Sequence, residues 1–146
     1  MNLATRYEKD SFTDFLDSGS FGKRLCVDCW PHQFSPLISD QWKTKNFGSR
    51  LFRGDLVNMG VGQGYLSVTP LHLALISAMI AKKGDYEIPY LVQKEQDIQQ
   101  LNFDLTEEDW KQLHESLTQV IYSRNGTGIR IQPGDMKLAG KTGTAQ

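Results

Sequence analysis

Between Thr69 and Gly84 the chain runs Thr-Pro-Leu-His-Leu-Ala-Leu-Ile-Ser-Ala-Met-Ile-Ala-Lys-Lys-Gly, and no other segment constrains the fold as strongly. Thr69 can cap a helix, Pro70 suits its first position, and Leu71 to Lys82 contains no breaker. Gly84 supplies a stop, with Lys82 and Lys83 opposing the helix dipole. Leu71, Leu73, Ala74, Leu75, Ile76, Ala78, Met79 and Ile80 place apolar groups on nearly every side. Such a helix is expected to be buried, not to lie amphipathically on a surface. It is about half the length needed to span a bilayer, so its cover must be protein.

The rest of the chain offers limited cover. Leu3 to Leu16 keeps a rough helical spacing and stops at the Asp17-Ser18-Gly19-Ser20 turn. Phe21 to Arg53 has little period. It is broken by Pro31, Pro36 and Gly48 and carries single aromatics at Trp30, Phe34, Trp42, Phe47 and Phe52, which reads as a long functional or docking loop. Ile88 to Val92 reads as a short extended piece. Thr106 with Asp109 opens a further helix through a capping-box start. Trp110, Leu113, Leu117, Val120 and Ile121 form its apolar stripe, and Ser123 to Gly126 ends it. Gly128–Ile131 and Met136–Gln146, around a Pro133-Gly134-Asp135 turn, suggest a β-hairpin. Helices before strands, without a βαβ rhythm, imply an α+β class.

Charge adds exclusions. The 146 residues carry a net charge of −1, which provides no field for nucleic acid or anionic lipid. The first twelve residues lack the features of a signal peptide. Cys26 and Cys29 form a C-x-x-C pair with His32 nearby, but His72 and His114 fall in predicted helices far along the chain, short of a zinc set. Trp30-Pro31 replaces the helix that a redox pair needs. Two incidental loop thiols is the better reading.

Chemistry appears at the chain's end, in Leu138-Ala139-Gly140-Lys141-Thr142-Gly143-Thr144-Ala145-Gln146. A cation and hydroxyls on a strand can hold a peptide carboxylate, and glycine lets a ligand backbone approach. Lys-Thr-Gly is also the third signature of the penicillin-recognising serine enzymes. Alone it is weak. Upstream, however, stand Gly54-Asp55, Gly60-Val61-Gly62-Gln63-Gly64-Tyr65 and Val68-Thr69-Pro70-Leu71-His72-Leu73-Ala74. In order and spacing these resemble the G-D…I-G-Q-G…T-P-L-Q-L-A block of class B penicillin-binding proteins, nearest the elongation-type, penicillin-binding protein 2-like branch. Trp42-Lys43 and Gly126-Thr127 fit the same pattern. A dinucleotide fingerprint does not fit the glycine spacing. His32, Ser35 and Ile38 stand where the family has Glu, Gly and Pro, which points to a remodelled or drifting loop.

The resemblance implies an incomplete piece of the DD-transpeptidase/serine β-lactamase-like fold, helices packed on an antiparallel sheet. Residues 1–146 would form a partial transpeptidase domain, from after the S-x-N motif through the K-T-G strand. A transpeptidase needs a nucleophilic serine with a lysine one helical turn later. Ser20-Phe21-Gly22-Lys23 and Ser123-Arg124-Asn125 match S-x-x-K and S-x-N as text, yet both lie downstream of the true motifs in family order. Chance alone supplies roughly 0.7 and 0.3 such matches at this composition. The nucleophile is therefore read as absent from the chain, and the chain alone as inactive and poorly stable.

By resemblance, Lys141 directs charge toward the substrate carboxylate and the serine's proton network. Thr142 and Thr144 bond that carboxylate, Gly143 gives clearance, and the Thr144 N–H serves the oxyanion hole. Gln63 and its glycines read as a scaffold turn. Implied partners are a D-Ala-D-Ala stem peptide, β-lactams, a membrane-embedded glycan polymerase and elongation-complex proteins, with no metal or organic cofactor. The implied location is the outer side of the bacterial cytoplasmic membrane. Two alternatives stay open: a non-catalytic peptidoglycan- or partner-binding module of the same fold, and a serine β-lactamase, disfavoured by the G-Q-G…T-P-L block.

Overall fold

A computed structural model describes residues 9–26, 34–92, 98–100, 105–131 and 134–143. The chain divides into two compact units, Met1–Asn102 and Phe103–Gln146.

The first unit begins with α1 (Lys9–Ser18), which runs two residues past the predicted stop before Gly19 and Ser20 turn the chain. Two short helices then occupy the region expected to lack structure: α2 (Asp40–Phe47) and α3 (Arg53–Met59). The period of α2 could not reveal it, because only Lys43 is buried along its length. Its ends could have. Ser39 accepts the Trp42 N–H at 3.1 Å, and Gly48 closes the helix in the left-handed region at φ 72°.

The core gathers Leu16, Phe21, Ile38, Leu51, Leu56 and Met59, with Phe12, Trp42, Tyr65 and Ile76 packed against it. The loop expected to drift is anchored here. Ile38 is fully buried, Ser35 is buried and its hydroxyl accepts the Thr69 N–H at 3.2 Å, and the Gly22 N–H donates to the Ser35 carbonyl at 2.6 Å. Cys26 is buried beside Leu25 and is disulfide-bonded, not the incidental free thiol expected. Cys29 and His32 lie outside the described residues.

The apolar segment forms α4 (Pro70–Ala81), capped by Thr69, whose hydroxyl accepts the His72 N–H at 3.1 Å. It is not buried all round. His72, Leu75 and Met79 form one buried stripe, while Leu73, Ala74, Ala78 and Ala81 are exposed. The core seals one stripe, Leu71, Ile76 and Ile80 are half-buried at its edges, and the opposite side stays exposed. His72 makes its burial possible by donating from Nε2 to the Gly19 carbonyl at 2.7 Å, with the Phe21 ring 4.4 Å away.

After α4, β1 (Asp85–Glu87) pairs antiparallel with β2 (Ile98–Gln100), Tyr86 opposite Gln99. The extended piece therefore precedes Ile88–Val92, where it was expected; Pro89 offers no ladder donor there.

The second unit contains α5 (Glu107–Tyr122), with the expected Thr106–Asp109 capping box. Trp110 and Ile121 are buried, and Leu113, Leu117 and Val120 half-buried. The expected hairpin is absent from the described residues. Gly128–Ile131 continues as tight turns, and 137–143 forms neither helix nor paired strand. Its amides bond instead to α5: the Gly140 N–H donates to the Leu117 carbonyl at 3.0 Å, and the Leu138 N–H to the Tyr122 hydroxyl at 3.1 Å. Lys141 thus lies on a segment held by a helix, not on a sheet strand.

Candidate functional site

The Lys141-Thr142-Gly143 segment is built onto the C-terminal half of α5. The Tyr122 hydroxyl accepts from Leu138 and donates to the Met136 carbonyl at 3.0 Å, fixing the approach to the triplet. Ile121 packs beneath, its Cδ1 within 3.7 Å of where a Gly140 side chain would start. Thr142 is half-buried, and its hydroxyl lies 2.8 Å from that of Thr127.

Thr127 reaches it because the chain turns back hard over the end of α5. The Gly126 N–H donates to Ser123 and the Gly128 N–H to Val120, both at 2.8 Å. A Cβ on Gly126 would sit 2.4 Å from the Val120 carbonyl oxygen, backbone that cannot yield. We therefore expect Gly126→Ala to destabilise this unit by about 2 kcal/mol, within the usual cost of overpacking. Loss of amide protection at Gly128 and Gly140 in hydrogen exchange would show it, and unchanged protection would refute it.

Lys141 is exposed, and its ammonium donates to the Thr142 carbonyl at 2.6 Å. Gly143 is exposed too, and a Cβ built there meets nothing within 4 Å. Packing among the described residues therefore does not require glycine at 143. Thr144 lies outside the described residues. The segment thus presents an ammonium and a hydroxyl next to an open backbone, a set suited to an anionic peptide terminus.

The two textual matches do not form a nucleophile. Ser20 is buried at φ 64°, and its hydroxyl contacts the Tyr86 hydroxyl at 3.4 Å. Lys23 turns away to Asp17, donating to its carbonyl at 2.9 Å and to Oδ2 at 3.3 Å. Ser123 ends α5, and its hydroxyl accepts from the Asn125 N–H at 3.4 Å.

The other family motifs meet in the first unit. Lys43 is buried and ion-pairs with Asp55, its ammonium 4.5 Å from the centre of the Phe52 ring and 5.0 Å from that of Tyr65. Asp55 also accepts the Phe52 N–H at 2.7 Å. Trp42, Phe47 and Tyr65 pack ring to ring at 4.8–5.9 Å. The G-Q-G loop turns through left-handed Gly62 and Gly64, and its amides return to Met59 and Asn58. These contacts make a scaffold, and Gln63 touches no reactive group in them. Sequence reading missed the Lys43–Asp55 pair, although a lysine and an aspartate beside Trp42 and Gly54 were its signal.

The penicillin-binding protein transpeptidase domain family matches residues 1–146. The chain belongs to that family. The peptidoglycan D,D-transpeptidase MrdA of Acinetobacter baumannii is 29% identical over 99% of the chain. Penicillin-binding protein 3 of Bacillus subtilis is 26% identical over 94% of it. The chain spans 23% and 20% of those two relatives, respectively. Among solved structures, penicillin-binding protein 2 of Helicobacter pylori in complex with MreC superposes with a TM-score of 0.84 at 25% identity, over 99% of this chain and 27% of that one. A further structure of penicillin-binding protein 2 from Helicobacter pylori gives 0.87 at 24% identity, over 99% of this chain and 28% of that one. The fold is that of the penicillin-binding transpeptidases, and its α+β character is reduced here to five helices and two short strands among the described residues.

Proposed function

We propose that the chain forms the K-T-G side of a peptidoglycan D,D-transpeptidase active site, as a partial domain spanning residues 1–146. The observation that carries this reading is the exposed Lys141 beside the Thr142 hydroxyl and the open space at Gly143. The family match and the names of the relatives support it.

The complete enzyme attacks the penultimate D-Ala carbonyl of a stem peptide with the serine of its S-x-x-K motif. The amide bond to the terminal D-Ala breaks, and that D-Ala leaves carrying the proton on its amine. A neighbouring stem's amine then takes the acyl group and returns the serine's proton. In this scheme Lys141 draws the substrate carboxylate into place and supports the serine's proton transfer. Thr142 and Thr144 bond the carboxylate, Gly143 admits the peptide backbone, and the Thr144 N–H joins the oxyanion hole. β-Lactams occupy the site as D-Ala-D-Ala mimics.

The proposed setting is the outer face of a bacterial cytoplasmic membrane, beside a glycan polymerase and elongation-complex proteins. The complex of H. pylori penicillin-binding protein 2 with MreC supports such partners. No described helix is long and apolar enough to cross a membrane, so these residues contribute no anchor of that kind.

A fluorescent penicillin followed by a denaturing gel tests the reading. The 146-residue chain alone should remain unlabelled. A full-length protein that joins it to upstream S-x-x-K and S-x-N motifs should label one to one. Stoichiometric label on Ser20 or Ser123 of the isolated chain would overturn the assignment.

A further inference from the structure

We propose that Thr127 is a positioning residue, setting the direction in which Thr142 presents its hydroxyl proton to the substrate carboxylate. The inference rests on the active-site reading above and adds to it a residue outside the K-T-G triplet. A threonine hydroxyl has one proton and two lone pairs, whereas an ionised carboxylate only accepts. If Thr142 donates to Thr127, it meets the carboxylate with lone pairs and repels it. If Thr127 donates to Thr142, the Thr142 proton is released toward the ligand, and the bond it then makes is charge-assisted. The 2.8 Å Thr127–Thr142 contact therefore works in one direction once substrate arrives.

Both partners are held by the same helix end, so the contact is more than a meeting of two mobile surface rotamers. The Gly126 and Gly128 amides bind back onto Ser123 and Val120, so Thr127 stands between two anchored residues. On the other side, Leu138 and Gly140 are tied to Tyr122 and Leu117, which fixes the segment leading to Thr142. The Lys141 ammonium donates to the carbonyl of Thr142, leaving the side-chain hydroxyl to Thr127.

The test uses the full-length protein and a penicillin bearing a free carboxylate, with pre-acylation affinity and the acylation rate constant measured separately. Thr127→Val keeps the shape and removes the donor; it should weaken pre-acylation binding by roughly three- to tenfold, the worth of one ordinary hydrogen bond. The acylation rate constant and the melting temperature should hold. Thr127→Ser should restore binding. Unchanged binding in Thr127→Val, alongside a large loss in Thr142→Val, overturns the role of Thr127 and leaves the active-site reading standing. An equal loss in Thr127→Ser, or a lowered melting temperature in Thr127→Val, makes the residue merely structural and also overturns it. Wild-type acylation in Thr142→Val and Lys141→Ala overturns the active-site reading and this inference together.

Discussion

Alanine at Lys141 should slow penicillin acylation of a full-length protein carrying this segment by about 100-fold or more. That is the usual consequence of removing one preorganised group that meets developing charge. Lys141 is exposed, and its ammonium rests on the Thr142 carbonyl, a neutral acceptor. A substrate carboxylate offers a stronger, charge-assisted partner, so exchange toward the ligand is favourable. Local folding does not depend on the side chain, because Gly140, Leu138 and Thr142 carry the contacts to α5 and Thr127. The loss should thus appear in acylation while the melting temperature stays put. Lys141→Arg should recover only part of the rate, since a planar guanidinium cannot take the place of a compact ammonium. A time course of fluorescent penicillin labelling separates these outcomes. Wild-type acylation in Lys141→Ala would remove Lys141 from the site.

The same triplet separates what local sequence can signal from what it cannot. Lys141, Thr142 and Gly143 could be proposed from sequence because their chemistry is local and the upstream motifs precede them in order. Thr127 was legible only as part of a Gly-Thr pair; its pairing with Thr142 needs a turn forced by the end of α5. Helices α4 and α5 announce themselves through Thr69, Pro70, Thr106 and Asp109, whose capping acts within one turn. Helix α2 escapes apolar periodicity, because its inward side chain is a lysine, and only its Ser39 and Gly48 caps carry a local signal. The β-hairpin expectation failed for a related reason. Residues 137–143 satisfy amides at 138 and 140 through a tyrosine hydroxyl and a helix carbonyl, partners that no local pattern encodes. For α4, composition predicted burial on nearly every side, whereas only the stripe at His72, Leu75 and Met79 is buried and Leu73, Ala74 and Ala78 are exposed.

Asparagine at Asp55 should produce the largest stability loss in the first unit, about 3 kcal/mol, because it leaves the Lys43 charge buried without its counter-ion. For a domain of this size that corresponds to a fall of roughly 6–12 °C in melting temperature. The pH dependence identifies the cause. Burial alone would raise the Asp55 pKa, but the bonds from Lys43 and the Phe52 N–H outweigh it and hold the carboxyl below the usual aspartate range. Burial would lower that of Lys43, and Asp55 reverses this, so the ammonium is held above the usual lysine range. A depressed aspartate contributes stability above its unfolded pKa, near 3.9, and loses it as pH falls through the folded value. A raised lysine contributes fully below its unfolded pKa, near 10.4, and loses it as pH rises through the folded one. This pair should therefore add no slope between about pH 5 and 9, with declines outside that window. In Asp55→Asn the acid decline due to this carboxyl should vanish. Replacing both partners, Lys43→Met with Asp55→Leu, should recover much of the loss, since an apolar pair avoids the unpaired charge. Recovery should stop short of wild type by about 1 kcal/mol, because Asp55 also accepts the Phe52 N–H at the start of α3. A double variant no better than Asp55→Asn would mean that the aromatic walls of Phe52 and Tyr65 need the cation itself, so that the Lys43 charge acts through the rings as well as through Asp55.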